Sequence, residues 1–234
     1  MEIKIGMAKI NKYAVSHSGD SVEVAERPQG GITAILADGQ GSGRAARNTS
    51  SLVVNKAAAL IADGARDGAV ARAVHDYLYA LKDGKVSSTL TLISADLDAG
   101  TVVISRNSNC PVIVKDAYGL TIYDEEVNSI GVHKRTKPLM YQVPLEAGMI
   151  FIAYTDGIQA AGRKKSKEID FAKILAIIEE NGAADVAFIA DSILEYALKV
   201  DEYRPGDDMT VVVLSICESE NPDKIRRMSV SFPC

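Results

Sequence analysis

Cysteine is scarce in this sequence: Cys110, Cys217 and Cys234 are the only three in 234 residues, and no two of them form a CxxC pair. That spacing excludes an even-numbered disulfide framework and a cysteine-based zinc cluster, and it fits a reducing compartment. Cys110 and Cys217 stand among apolar neighbours and read as inert core thiols. Long apolar runs are missing as well. Nothing approaches the roughly 20 residues of a membrane span, and Met1 to Gly6 alternates like a strand instead of forming the apolar core of a signal peptide. A cytoplasmic protein that contacts no membrane is therefore expected. Lysine and arginine are not gathered into a stripe with interleaved aromatics, and the formal charge is −5. A nucleic-acid surface, which needs clustered cations, is excluded on that ground. The local run Arg163-Lys164-Lys165 is short; it is either a solvated loop or, beside Asp156, a contact for an anionic substrate.

What is present is a large apolar fraction, 47% of the residues, enough for a sizeable core in one large domain. From residue 2 to residue 37 the pattern is strand, polar break at Ser16 to Ser21, strand, strand. Ala45, Ala46, Thr49, Leu52, Val53, Lys56, Ala57 and Leu60 then recur at helical spacing, with Ser42 as the expected N-cap. A second helix is expected from about Ala69 to Lys82, after a turn from Asp63 to Gly68. Period-two runs follow at Ser88 to Ser94, Thr101 to Ser105, Val112 to Val114, Leu139 to Val143 and Met149 to Thr155. Helical periodicity returns over 168–200, and Met209 to Ile216 makes a last strand. No linker divides the chain and no internal repeat shows. The order predicts an α+β fold, a four-layer α-β-β-α sandwich in which two antiparallel sheets carry a helix pair on each outer face. The domain is expected over 1–217, with 218–234, which carries Pro222 and Pro233, as a loose tail.

Five Asp-Gly steps occur, and most such steps are turns. Asp63-Gly64, Asp67-Gly68 and Asp83-Gly84 punctuate helical stretches and are assigned to turns. Asp38-Gly39 and Asp156-Gly157 differ, because each closes an apolar run of strand length, and Asp207-Asp208 opens another. Strands side by side would bring these acids into one patch, which is what a pair of hard divalent cations requires. Asp38 is the candidate to bridge two ions, with the unobstructed carbonyl of Gly39 as a further ligand. Asp156 and Asp207 complete the shell of one ion, and Asp20 stands by the other. A hydroxide held between two dications is nucleophilic at neutral pH, so no serine or cysteine nucleophile is needed.

Ser18-Gly19-Asp20, the run from Asp38 to Gly43 (DGQGSG), Asp156-Gly157 and the run from Gly206 to Val211 (GDDMTV) resemble, in sequence and order, the motifs of the metal-dependent (PPM) Ser/Thr protein phosphatases. The likeness is to the SpoIIE-like branch of the phosphatase 2C fold, and the compact chain is similar to the stressosome phosphatases. The resemblance implies a dinuclear Mn²⁺ or Mg²⁺ site, with Asp38 as bridge, the Gly39 carbonyl on one ion, Asp156 and Asp207 on the other, and Asp20 orienting metal-bound water. Asp208 is left outside the ligand set. Implied too is hydrolysis of phosphoserine or phosphothreonine on a STAS-domain protein of a stressosome or partner-switching module. Two departures stand out. Gln40 occupies the place where many relatives carry a histidine, and it cannot donate a proton as a general acid. The stretch from Tyr13 to Ser18 holds none of the phosphate-binding arginine common upstream of the first acidic motif. Of the three histidines, His17 is the nearest substitute donor; it reads first as a solvated loop residue, as does His133 in its loop, and His75 on its helix is likewise not read as catalytic. Docking of a protein partner is expected at the helix start from Gln40 to Asn48 and at the loop from Glu125 to Lys137. The competing readings are a metal-binding regulatory module without turnover and a two-metal nucleotide phosphoesterase.

Overall fold

The computed structural model describes residues 1–219 and 225–231; Pro222, Pro233 and Cys234, and with them part of the expected tail, lie outside the described residues. Two five-stranded sheets face each other. The first runs β1 (Glu2–Ile10), β10 (Met209–Cys217), β9 (Ile150–Tyr154), β6 (Val112–Asp116), β7 (Gly119–Tyr123). The second runs β2 (Asp20–Glu26), β3 (Gly31–Asp38), β4 (Leu90–Asp96), β5 (Thr101–Asn107), β8 (Leu139–Pro144). Every neighbouring pair is antiparallel. Helices α1 (Gly43–Ala62) and α2 (Asp67–Leu81) cover the second sheet; a one-turn α3 (Asp156–Gln159), α4 (Phe171–Glu180) and α5 (Val186–Val200) lie on the first.

The central strands are mostly apolar because both of their faces are buried. Along β10, Met209, Val211 and Val213 pack with Ile189, Ile193 and Ala197 of α5, while Val212, Leu214 and Ile216 pack between the sheets. Along β3, Ile35 and Ala37 meet Val53, Ala57 and Ile61 of α1, while Ala34 and Leu36 point to the other sheet. Three apolar layers result, one between the sheets and one under each helix pair, as the expected sandwich requires.

Several local expectations differ. β7 was not foreseen: after β6, the Asp116 carboxylate accepts from the N–H groups of Tyr118 and Gly119 and turns the chain straight back. Asp20 is not in the polar break but is the first residue of β2. Ser42 does take the N-cap position of α1, without a side-chain bond to the helix. Asp67 is no turn residue. It begins α2 and is buried, where it accepts from Arg27 and Ser94, so the turn before it spans only Asp63 to Arg66. His75 is likewise buried, its Nδ1 accepting from the Gly131 N–H at 3.0 Å.

Candidate metal centre

Antiparallel register places the first acid. The opening residue of β2, Asp20, pairs directly with the closing residue of β3, Asp38, so two carboxylates share one strand end. The other sheet brings Thr155 and Asp156 just past β9 and Asp207 and Asp208 just before β10, and those two strands are neighbours. Two threonines bolt the sheets together at this end. Thr155 Oγ1 and Thr210 Oγ1 donate to Asp20 Oδ2 at 2.8 and 2.6 Å, deep in the protein. Asp20 is thereby fixed in orientation across the whole sandwich. Thr155 does not stand out in the sequence, and although Thr210 lies within the run from Gly206 to Val211, nothing local marks its bond to Asp20.

Glycine is required where the elements meet most closely. A Cβ at Gly157 would stand 2.0 Å from the carbonyl oxygen of Asp208, and one at Gly39 would stand 2.2 Å from that of Ala46 on α1. The Asp-Gly pattern thus reports close backbone approach as much as ion access. Replacing Gly157 with Ala should displace the Asp156 turn from the Asp207 loop by about 1 Å, a shift that costs on the order of 10²-fold in turnover at a preorganised site. Overpacking adds about 1–3 kcal/mol of destabilisation. Turnover of p-nitrophenyl phosphate and the urea midpoint of Gly157→Ala read the two effects; wild-type values in both would refute the close approach.

Asp208 is buried and occupied. Its Oδ1 accepts from the Lys12 N–H and its Oδ2 from the Gly19 N–H, both at 2.8 Å, so it ties the segment before β2 to the start of β10. Asp201 does the same for the loop carrying Asp207, accepting from Gly162 and Gly206 N–H groups at 2.6 Å each. Gln40 is held in a structural role, since its Oε1 accepts from the Ser87 N–H at 2.9 Å and so anchors the chain that leads into β4. Cations arrive from places that sequence proximity does not indicate. Lys9 Nζ on β1 and Arg47 on α1 both donate to the Asp20 carbonyl, at 2.7 and 3.0 Å, and Lys12 Nζ is 3.5 Å from Asp207. Of the basic triplet, Lys164 donates to the Gly206 carbonyl and Lys165 to Glu202, so these two brace the Asp207 loop. Among the histidines, His17 Nδ1 shares a hydrogen bond with Ser16 and His133 is exposed.

The electrostatics of the patch are those of a site in need of positive charge. Burial, and then the charges of Asp20, Asp156, Asp207 and Asp208, push the Asp38 carboxyl up from 3.8 to about 8. Burial raises Asp20 to about 6 against the two threonine bonds. Asp156 is more open to solvent, yet the protein around it and the charge of Asp207 still raise its carboxyl. Burial pushes the Cys110 thiol up to about 12, which keeps it neutral and unreactive. Among the described residues no three His, Cys, Asp or Glu side chains are closed up into a ready-made cage. The donor set nevertheless fits hard divalent cations, since it is all oxygen, dominated by carboxylate, and mutually repulsive until cations bind.

A four-layer sandwich with acidic strand ends at one edge is the architecture of the phosphatase 2C class. The chain superposes with a TM-score of 0.80 and 23% identity on the PP2C phosphatase domain, with a fragment of the regulatory domain, of the cell fate determinant SpoIIE from Bacillus subtilis, over 92% of this chain and 64% of the other. It thus spans under two thirds of that structure's length. The catalytic domain of the serine/threonine protein phosphatase PstP in complex with two manganese ions superposes with a TM-score of 0.73 and 19% identity, over 92% and 99% of the two chains. A chain from work on the bacterial stressosome, a modular system adapted to control secondary messenger signalling, does so with a TM-score of 0.67 and 18% identity, over 92% and 100%. No curated protein sequence matches. The sequence pattern of the Stage II sporulation protein E (SpoIIE) family matches residues 28–216, and the chain belongs to that family. The match begins after Asp20, whose place rests on strand register and on the two threonine bonds.

Proposed function

We propose that this protein is a divalent-metal-dependent protein serine/threonine phosphatase acting on a phosphorylated STAS-domain protein of a bacterial stressosome or partner-switching module, in the cytoplasm. The carrying observation is the convergence of Asp20, Asp38, Asp156 and Asp207 from both sheets on one end of a phosphatase 2C fold. Asp38, the Gly39 carbonyl, Asp156 and Asp207 are the ligands assigned to two Mn²⁺ or Mg²⁺ ions. When bound, such a pair supplies positive charge for the phosphoryl oxygens and a water ionised at neutral pH.

The chain's own residues do the rest. Asp20, locked by Thr155 and Thr210, has one oxygen committed to structure and keeps a fixed carboxylate next to Asp38. Asp208, Asp201 and Gln40 hold the backbone segments that carry the ligands, so the site is positioned by rigid elements on all sides. The domain so defined covers 1–217. A nucleotide phosphoesterase has less support, since Lys9 and Arg47 are turned onto a backbone carbonyl and provide no basic groove.

The test is hydrolysis of p-nitrophenyl phosphate and of a phosphoserine peptide with Mn²⁺, with Mg²⁺ and with chelator. Turnover in the presence of either cation and none with chelator is expected. In the same samples, cation at about 100 times its dissociation constant should stabilise the fold by about 2.7 kcal/mol. A cation-independent melting temperature together with no turnover would overturn the assignment.

A further inference from the structure

Beside the Asp156 turn lies a cavity of about 500 Å³, lined in part by the segment that joins α3 to α4. Its floor is apolar, with Ile122 from β7 and Phe171 from α4, and its rim is polar, with Gln159, Arg163, Asp124 and Glu168. None of these six residues is an assigned ligand of the metal centre described above.

Three placements relate the cavity to the centre. Gln159 lies three residues after Asp156 in the same helical turn, and such pairs stand on one helix face about 5–6 Å apart. Arg163 is close enough to Asp156 for its charge to act on that carboxylate, so the near end of the cavity is cationic. At the far end the register aligns Ala153, Val112 and Tyr123 across β9, β6 and β7. With neighbouring strands about 4.8 Å apart, Asp124 stands about 10 Å to the side of the strand that delivers Asp156. An extended peptide covers that distance in about three residues at 3.3 Å each.

We infer that this cavity recognises the substrate chain, taking an apolar side chain one or two residues from the phosphorylated serine or threonine and a lysine or arginine about three residues away on the same side. The inference rests on the phosphatase reading for what lies in the neighbouring centre. The charges run in the order that such a peptide needs. Arg163 lies towards Asp156 and the phosphate, the apolar lining of Ile122 and Phe171 follows, and the exposed carboxylate of Asp124, with that of Glu168 in the same lining, meets the basic residue. An apolar side chain seated in a matching floor is worth about tenfold in discrimination, and the solvent-exposed charge pairing about fivefold.

The experiment uses fluorescein-labelled phosphoserine heptapeptides with Leu or Ala at each position within two residues of the phosphoserine, and Lys or Glu at the third, on either side. Dissociation constants are read by fluorescence anisotropy for the full chain and for the charge-reversed variant Asp124→Lys, Glu168→Lys. The full chain should favour Leu by about tenfold and Lys over Glu by about fivefold, on one side only. In the variant the Lys preference should invert while the Leu preference stays. Equal binding of all peptides, or a Lys preference that survives charge reversal, overturns the inference. Hydrolysis of p-nitrophenyl phosphate, measured in parallel on the full chain, judges the phosphatase reading separately: turnover without peptide discrimination sinks only the cavity, and discrimination without turnover sinks only the phosphatase.

Discussion

Asp38→Asn is expected to abolish cation-dependent ester hydrolysis and, at the same time, to make the cation-free protein more stable at pH 8. The two effects share one cause. Asp38 is the carboxylate on which burial and the charges of Asp20, Asp156, Asp207 and Asp208 all act, and they push it from 3.8 to about 8. Asn keeps the shape of the side chain and removes the charge. A lost bridging ligand forfeits several kcal/mol of transition-state charge stabilisation, or about 10³-fold in turnover. Relief of the repulsion should be worth at least about 1 kcal/mol, which in a domain of this size raises the melting temperature by about 2–4 °C. Turnover above a tenth of wild type, or a lower melting temperature without cation, would contradict the assignment of Asp38.

The sign of the pH dependence follows from the same shift. Between pH 4 and pH 8 the folded, cation-free protein holds a proton on Asp38 that the unfolded chain has released, because the folded value is about 8 and the reference value 3.8. Protons bound in excess by the native state make stability fall as pH rises. The cation-free wild type should therefore lose melting temperature from pH 5 to pH 8 relative to Asp38→Asn. Saturating Mn²⁺ should remove the difference, since cation and proton compete for the same oxygens.

Much of this architecture was legible because the central strands are buried on both faces. Runs such as Ile150 to Tyr154 and Met209 to Cys217 are buried throughout and mostly apolar, and the acids at their ends are conspicuous against them. β7 escaped notice because five residues with half-buried positions give too little periodicity to stand out from a loop. The bracing of the centre was illegible for a different reason. Thr210 is 190 residues from Asp20 and Gln40 is 47 from Ser87, and no local pattern records such contacts. The stretch from Tyr13 to Ser18 holds no cation, yet Lys9 from β1 and Arg47 from α1 reach the Asp20 carbonyl.

Asp67 shows how the same dipeptide conceals opposite physics, and Asp67→Ala should be the most destabilising single change away from the centre. Its sequence context, an Asp-Gly step between two helices, matches that of Asp63, which does lie in a turn. In the fold, however, Asp67 is 4% exposed. Arg27 Nη1 stands 3.3 Å from both of its oxygens, Ser94 donates to Oδ1, and Asp96 completes the guanidinium's surroundings at 3.6 Å. The carboxylate also sits in the first turn of α2, where the helix dipole favours negative charge. Removing it leaves Arg27 buried with only the partly exposed Asp96 as counter-charge, a loss of about 3–5 kcal/mol. Turnover of the molecules that remain folded should not change, because Thr33, which bonds Ser94 in this network, is five residues and about 17 Å along β3 from Asp38. The pair Arg27→Met, Asp67→Leu should recover most of the lost stability, since apolar replacement of a whole buried ion pair is often neutral. Urea midpoints and kcat for the single and double variants decide the matter. A shift below about 1 kcal/mol in Asp67→Ala would mean that water, and not Arg27, is the carboxylate's effective partner.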